Sequence, residues 1–126
     1  MERSLQSQAF HDKMIKQLAE SLISKKFRDV KADHPDFPEK PAPIVLEPFA
    51  SFHIPDVTAM GIQMVLFEVE TDDTINDAHT QEQWELFATF AHVNRAEFWV
   101  VVPKASMEDA QARLETLGLH AKVMGF

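Results

Sequence analysis

The 126-residue chain has 45% hydrophobic residues, a net charge of −8 and no cysteine, which indicates one globular domain without disulfides or thiolate metal sites. The negative charge disfavours a simple nucleic-acid-binding module, because phosphate backbones attract positive charge. The beginning of the chain lacks the apolar core of a signal peptide, and no apolar run reaches the length of a membrane span. We therefore expect a cytoplasmic protein that does not enter a membrane.

The first predicted element is a helix over residues 4–26. Phe10, Met14, Leu18 and Leu22 recur at every fourth position and form one apolar stripe, which predicts packing against the core. Half of the twelve basic residues fall between residues 13 and 31. They could form a patch that faces phosphate groups, or they could simply be the solvated face of the helix.

A short strand over residues 27–33 is predicted next, and its poor apolar pattern suits the edge of a sheet. Residues 34–48 form a loop that contains five of the seven prolines. A loop of this length could clamp a substrate, mediate dimerisation, or be an insertion without a role. Residues 49–58 are then predicted to be a strand that Pro55 interrupts at an edge or a bulge.

The central strand of the predicted sheet ends in two acids. Apolar residues from Met64 to Val69 occupy both faces, which is typical of a strand in the middle of a sheet. Glu68 and Glu70 project from one face, because side chains alternate along a strand. Two carboxylates at the end of a core strand need an explanation, because charged residues are rarely buried unless they are paired or bound to a metal. The alternative is that the strand simply emerges into solvent at Glu68.

A helix follows the acidic loop of residues 71–80. Thr80 has the pattern of its N-cap, and Gln83 completes a capping box, so that the helix is predicted to end near His92. His79 precedes this start. It is either a surface residue or, because it lies close to the acidic strand end, a proton carrier or phosphate contact.

The remaining elements are a buried strand, a helix and a short strand. Residues 97–103 form the buried strand, and its separation from the central strand by a helix predicts a parallel crossover. The last helix begins near Ser106 and ends at Gly118, and residues 120–124 form the final strand. The predicted order is helix, three strands, helix, strand, helix, strand.

Pro55-Asp56 followed by Glu68-x-Glu70 resembles the motif of the PD-(D/E)XK nuclease superfamily, whose fold is that of restriction endonucleases. The order of elements resembles the αβββαβ core of that superfamily, with an additional C-terminal helix and strand. The resemblance implies a single α/β domain over residues 1–126, with a mixed central sheet flanked by helices and a proline-rich loop at 34–48.

The resemblance also implies a metal site. Asp56 and Glu68 would bind Mg²⁺ or Mn²⁺, and Glu70 stands where the superfamily usually has lysine, so that it would be a further ligand or a base that orients the attacking water. In several branches of the superfamily an acid on the first helix joins the metal site, a position that Glu20 could fill, although a solvated Glu20 is the alternative. Gln83 and His79 would contact the same site.

The function that the resemblance implies is metal-dependent hydrolysis of phosphodiester bonds in nucleic acid, in DNA rather than RNA. The alternative is a catalytically inactive member of the superfamily that acts as a binding or assembly module. The glutamate in the lysine position and the acidic net charge favour the alternative. Both hypotheses leave a homodimer open.

Overall fold

A computed structural model describes residues 3–126, which form three α-helices, five β-strands and one short 3₁₀ turn at Lys104–Ser106. Within these residues, none of the helices combines the length and apolar character needed to cross a membrane. The elements follow in the chain as α1 (Leu5–Ser24), β1 (Arg28–Ala32), β2 (Val57–Met60), β3 (Met64–Val69), α2 (Ala78–Asn94), β4 (Glu97–Val102), α3 (Met107–Leu117) and β5 (Lys122–Gly125).

The five strands form one mixed sheet in the order β1-β2-β3-β4-β5. The first three strands are antiparallel neighbours, and β3, β4 and β5 run parallel to one another through the crossover helices α2 and α3. The protein is therefore an α/β fold with a single mixed sheet. The element order expected from the sequence is confirmed, and β1 lies at an edge as its weak apolar pattern predicts.

The helices cover opposite faces of the sheet. α1 packs through Met14, Leu18 and Leu22 on the face that carries Val65 and Phe67 of β3. α2 and α3 pack on the other face, where Leu66, Val100 and Val102 meet Trp84, Phe87 and Leu114. Both faces of β3 are buried because of this arrangement, which confirms that the strand is central and that Val100 and Val102 lie on its neighbour β4.

The strand predicted over residues 49–58 is shorter than expected. β2 begins only at Val57, and the segment before it is irregular apart from a single bridge between Ile44 and His53. Pro48 and Pro55 explain the difference, since proline has no backbone N–H to donate to a neighbouring strand. The consequence is that Asp56 lies immediately before β2, at the end of the irregular segment.

Candidate active site

A polar cleft of about 450 Å³ opens where β3 ends and β2 begins. Because Val57 pairs with Phe67 in the antiparallel ladder, Asp56 comes to lie beside Glu68. The ends of α1 and α2 supply the other walls. The cleft is lined by Arg3, Leu5, Gln8, His11, Asp56, Glu68, Glu70, Thr74, Asp77, His79, Thr80 and Gln83. The five residues that the sequence suggested as catalytic are therefore brought together.

Asp56 and Glu68 are interlocked through the backbone. Asp56 Oδ2 accepts a hydrogen bond of 2.7 Å from the Val69 N–H, and Glu68 Oε1 accepts one of 3.1 Å from the Asp56 N–H. The side chains are held at fixed positions because each carboxylate binds the main chain of the other strand. Asp56 is 8% exposed and Glu68 is 3% exposed, so the strand does not emerge into solvent at Glu68, and that alternative is wrong.

The buried carboxyls are difficult to ionise together. Burial raises the pKa of Glu68 well above its usual range, and the negative charges of Asp56 and Glu70 raise it further. Glu68 therefore keeps its proton to a higher pH than an ordinary glutamate does. The pair therefore holds negative charge that a proton or a cation must offset.

Glu70 is the most enclosed acid of the cleft, at 1% exposure. Oε1 accepts hydrogen bonds from Thr74 Oγ1 at 2.7 Å and from Arg3 Nη2 at 3.1 Å, and Oε2 accepts one from Trp84 Nε1 at 3.3 Å. Burial and the charge of Asp56 raise the pKa of Glu70 to about 7, although the Thr74 hydrogen bond and the Arg3 charge oppose the rise. Both oxygens of Glu70 are thus engaged by the protein itself.

Arg3, which lies just before α1, connects this part of the chain to the end of β3. Its Nη2 donates to the backbone carbonyl of Val69 at 3.2 Å as well as to Glu70, and its Nε donates to Thr71 Oγ1 at 3.1 Å. A guanidinium presents several donors in a planar fork, which suits this combination of a carbonyl, a carboxylate and a hydroxyl. Arg3 is therefore a cation built into the acidic cleft.

α1 contributes His11 to the cleft and not Glu20. His11 Nε2 lies 3.3 Å from Asp56 Oδ2. Burial lowers the pKa of His11, but the hydrogen bond and the charge of Asp56 outweigh it, so the pKa is raised overall. Glu20 is exposed and lies nine residues further along α1, roughly 13 Å at 1.5 Å per residue. The structure does not bring Glu20 to the other acids.

The expected cap of α2 is also corrected. The helix begins at Ala78 with Asp77 in the N-cap position, so the prediction of Thr80 as N-cap is wrong. Thr80 is instead buried in the first turn, where its hydroxyl lies 3.5 Å from Glu70 Oε1. Gln83 therefore does not form a capping box with Thr80, and its side chain lines the cleft. His79 is exposed at the rim of the cleft.

The sequence did not identify four residues of the site: Arg3, His11, Thr74 and Trp84. His11 and Asp56 are 45 positions apart, and Arg3 and Glu70 are 67 positions apart, so no local spacing connects them. One signal was available for His11, since it lies three residues before Met14 and so extends the buried stripe of α1 with a polar side chain. Arg3 carried no comparable signal.

The donor set of the cleft fits a hard divalent cation at Asp56 and Glu68. No group of three or more His, Cys, Asp or Glu side chains that could hold a metal ion is present in residues 3–126. Mg²⁺, however, is commonly held by one or two carboxylates together with water and substrate phosphates. The lining contains four acids, Asp56, Glu68, Glu70 and Asp77, and when all four are ionised they exceed the two cations Arg3 and protonated His11 by two negative charges. Because Glu70 is engaged by the protein, Asp56 and Glu68 are the carboxylates that could hold such an ion.

Comparisons with protein-family models, with curated proteins and with solved structures find no match to this chain.

Proposed function

We propose that the protein is a metal-dependent nuclease-like protein that hydrolyses phosphodiester bonds of nucleic acid at the Asp56–Glu68 cleft. The observation that supports this function best is the interlocked pair of buried carboxyls, which opens into a polar cleft and which would be stabilised in its fully ionised form by a cation. Asp56 and Glu68 would hold Mg²⁺ or Mn²⁺, both of which prefer oxygen ligands. When bound, such an ion polarises a phosphoryl oxygen and activates water.

The other residues of the cleft would have supporting roles. His11 can hold a proton beside Asp56, within reach of a leaving or attacking oxygen in the cleft. Gln83 and His79, on the first turns of α2, can donate hydrogen bonds to a phosphate or a sugar at the rim. We assign Glu70 to positioning, because its oxygens accept from Arg3, Thr74 and Trp84 and so hold the end of β3 and the start of α1 together.

A specific observation favours a second candidate, a catalytically inactive protein of the same fold that acts as a binding or assembly module. Arg3 donates to Glu70, to which the resemblance assigns a role at the metal or the attacking water, and to the neighbouring Val69 carbonyl. A guanidinium at this place already supplies positive charge to the acids. In this candidate the internal cation replaces the metal, and the cleft is a structural feature.

Thermal melts test whether the cleft binds a divalent ion. Mg²⁺ or Mn²⁺ at millimolar concentration should raise the melting temperature relative to chelator, because an ion that binds only the folded chain stabilises it. Asp56→Asn should abolish the rise while keeping an oxygen that can accept from Val69 N–H. Glu20→Gln is the matched control, since it removes an exposed acid elsewhere on the surface.

Hydrolysis assays separate the two candidates. Labelled single-stranded DNA, double-stranded DNA and RNA are incubated with the wild type and with Asp56→Asn, in Mn²⁺, Mg²⁺ and chelator. Cleavage that needs the ion and is lost in Asp56→Asn establishes the nuclease. A melting shift without cleavage of any substrate would show a metal site without nuclease activity on these substrates. The absence of both a shift and cleavage would support the inactive candidate, in which Arg3 takes the place of the ion.

A further inference from the structure

A second depression adjoins the cleft and shares His79 with it. It is lined by Ala50, Ser51, Phe52, His53, His79 and Glu82. His53 belongs to the irregular segment before β2, whereas His79 and Glu82 lie on the first two turns of α2. The depression is thus the place where the segment that contains the proline-rich loop meets the helix.

His53 is held rigidly and has an unsatisfied nitrogen. Its backbone exchanges two hydrogen bonds with Ile44, and its ring packs edge-on against Phe87. The side chain is only 9% exposed, yet Nε2 has no hydrogen-bond partner among residues 3–126. A buried polar atom without a partner carries a free-energy cost that folded proteins rarely tolerate.

The carboxylate of Glu82 lies close to His53 Nε2, at a distance typical of two ligands of one metal ion. Glu82 Oε1 lies 3.5 Å from His53 Nε2, beyond the usual N–H···O range of about 2.7–3.2 Å. Two atoms that each lie about 2.1 Å from one tetrahedral ion are separated by about 3.4 Å. The separation of this nitrogen and this carboxylate oxygen is therefore that of a ligand pair.

His79 can complete the group. It lies three residues before Glu82 and so projects from the same side of α2. Its ring centroid is 5.4 Å from that of His53. Residues 3–126 contain no three such side chains that already form a metal-holding group, so His79, which is exposed, would rotate onto an ion that the fixed His53–Glu82 pair has captured.

We propose that His53, His79 and Glu82 form a binding site for a transition-metal ion of the Zn²⁺ class, separate from the Asp56–Glu68 cleft. Two imidazoles and one carboxylate suit Zn²⁺, whereas Mg²⁺ prefers oxygen ligands alone. The ion would satisfy the buried nitrogen of His53 and join the segment before β2 to α2. This site does not depend on the nuclease-like function proposed above.

The test is a Zn²⁺ titration of the metal-free 126-residue chain by calorimetry, with Co²⁺ absorption as a second readout. Both use an Asp56→Asn background, which removes an acid of the cleft. One ion should bind per chain, and bound Co²⁺ should show the visible bands of a tetrahedral site with nitrogen ligands. Glu82→Gln and His53→Ala should each weaken binding by more than about tenfold, as the loss of even an outer-shell partner costs 10–100-fold.

His120→Ala is the matched control, because His120 is exposed and lies outside the depression, and it should leave the affinity unchanged. Wild-type affinity in both Glu82→Gln and His53→Ala would overturn the proposal, as would the absence of saturable Zn²⁺ binding. Glu82 is half-exposed, so its variant should stay folded even if His53→Ala does not. A negative result in the Zn²⁺ titration would not affect the conclusion from the Mg²⁺ melts, because those melts test the cleft that contains Asp56.

Discussion

Glu70 shows how a single buried acid can organise the chain around it. It lies at the end of the central strand, where burial alone would make ionisation costly. Its oxygens accept from residues of three separate parts of the chain: Arg3 before α1, Thr74 in the loop, and Trp84 on α2. The acid therefore joins both helical layers to the end of β3, in addition to any role in chemistry.

The Arg3–Glu70 pair can be measured with a double-mutant cycle. We expect Arg3→Met to lower the free energy of unfolding by about 1–3 kcal/mol at pH 8, since it leaves a buried carboxylate without its cation. Arg3→Met combined with Glu70→Gln should cost at least about 1 kcal/mol less than the sum of the single changes. Urea denaturation of the four forms provides the measurement.

The control for this cycle is the exposed Lys16–Asp36 ion pair, whose N–O distance is 2.8 Å. Lys16→Met should change the free energy of unfolding little, because water and salt screen an exposed pair. Strict additivity of the Arg3 and Glu70 changes would show that the two side chains do not interact in solution.

At this scale the sequence predicted the acids better than their partners. The period of two of a strand and the rarity of charge in a buried strand indicate Glu68 and Glu70. Asp56 is indicated by the resemblance of Pro55-Asp56 to the superfamily motif. Arg3 and His11 could not be identified in the same way, since their contacts to the acids cross 67 and 45 positions of the chain. Burial of Glu70 and its full set of donors are also tertiary properties.

The helices and strands were predictable in kind and order but not in their ends. Apolar patterns predict α1, β3 and β4, because burial on one or both faces determines such patterns. Capping residues predict the positions of α2 and α3. The start of α2 was misplaced because Thr80 and Asp77 both have suitable N-cap side chains. The hydroxyl of Thr80 is directed instead to Glu70, a preference that only the folded chain reveals.

Gly118 ends α3 in the left-handed conformation, with φ of 68°, as the sequence predicted for a C-cap. A Cβ atom at this position would meet nothing within 4 Å, so the cost of a side chain is that of the backbone alone. We expect Gly118→Ala to destabilise the protein by about 1 kcal/mol and Gly118→Asn to destabilise it less. Chemical denaturation of both variants checks this, and equal stability of Gly118→Ala and wild type would contradict it.

At the scale of the whole molecule, the buried titratable groups of the cleft make the stability of the fold depend on pH. Glu70, Glu68 and His11 all have pKa values raised by folding. The folded chain therefore binds more protons than the unfolded chain over the range in which these groups titrate. Stability must fall as the pH rises through that range, because the unfolded chain releases the protons first.

We expect the free energy of unfolding of the metal-free protein to decrease between pH 5 and pH 8. Glu70 alone, with its pKa moved from 4.5 to about 7, accounts for a change on the order of 3 kcal/mol. Glu70→Gln should reduce the slope, whereas Glu20→Gln, which removes an exposed acid, should preserve it. Stability that is constant or rising over this interval in chelator would contradict the raised pKa values.

The order of strands across the sheet is the same as their order along the chain. Each strand can therefore pair with the strand that precedes it in the sequence. No strand has to insert between two strands that are already paired. The contact between Arg3 and Glu70 differs from these strand pairings, because it joins residues that are 67 positions apart in the chain. Long loops are slow to close on entropic grounds. The sheet can thus grow stepwise during folding, whereas we expect the contact between Arg3 and Glu70 to form late.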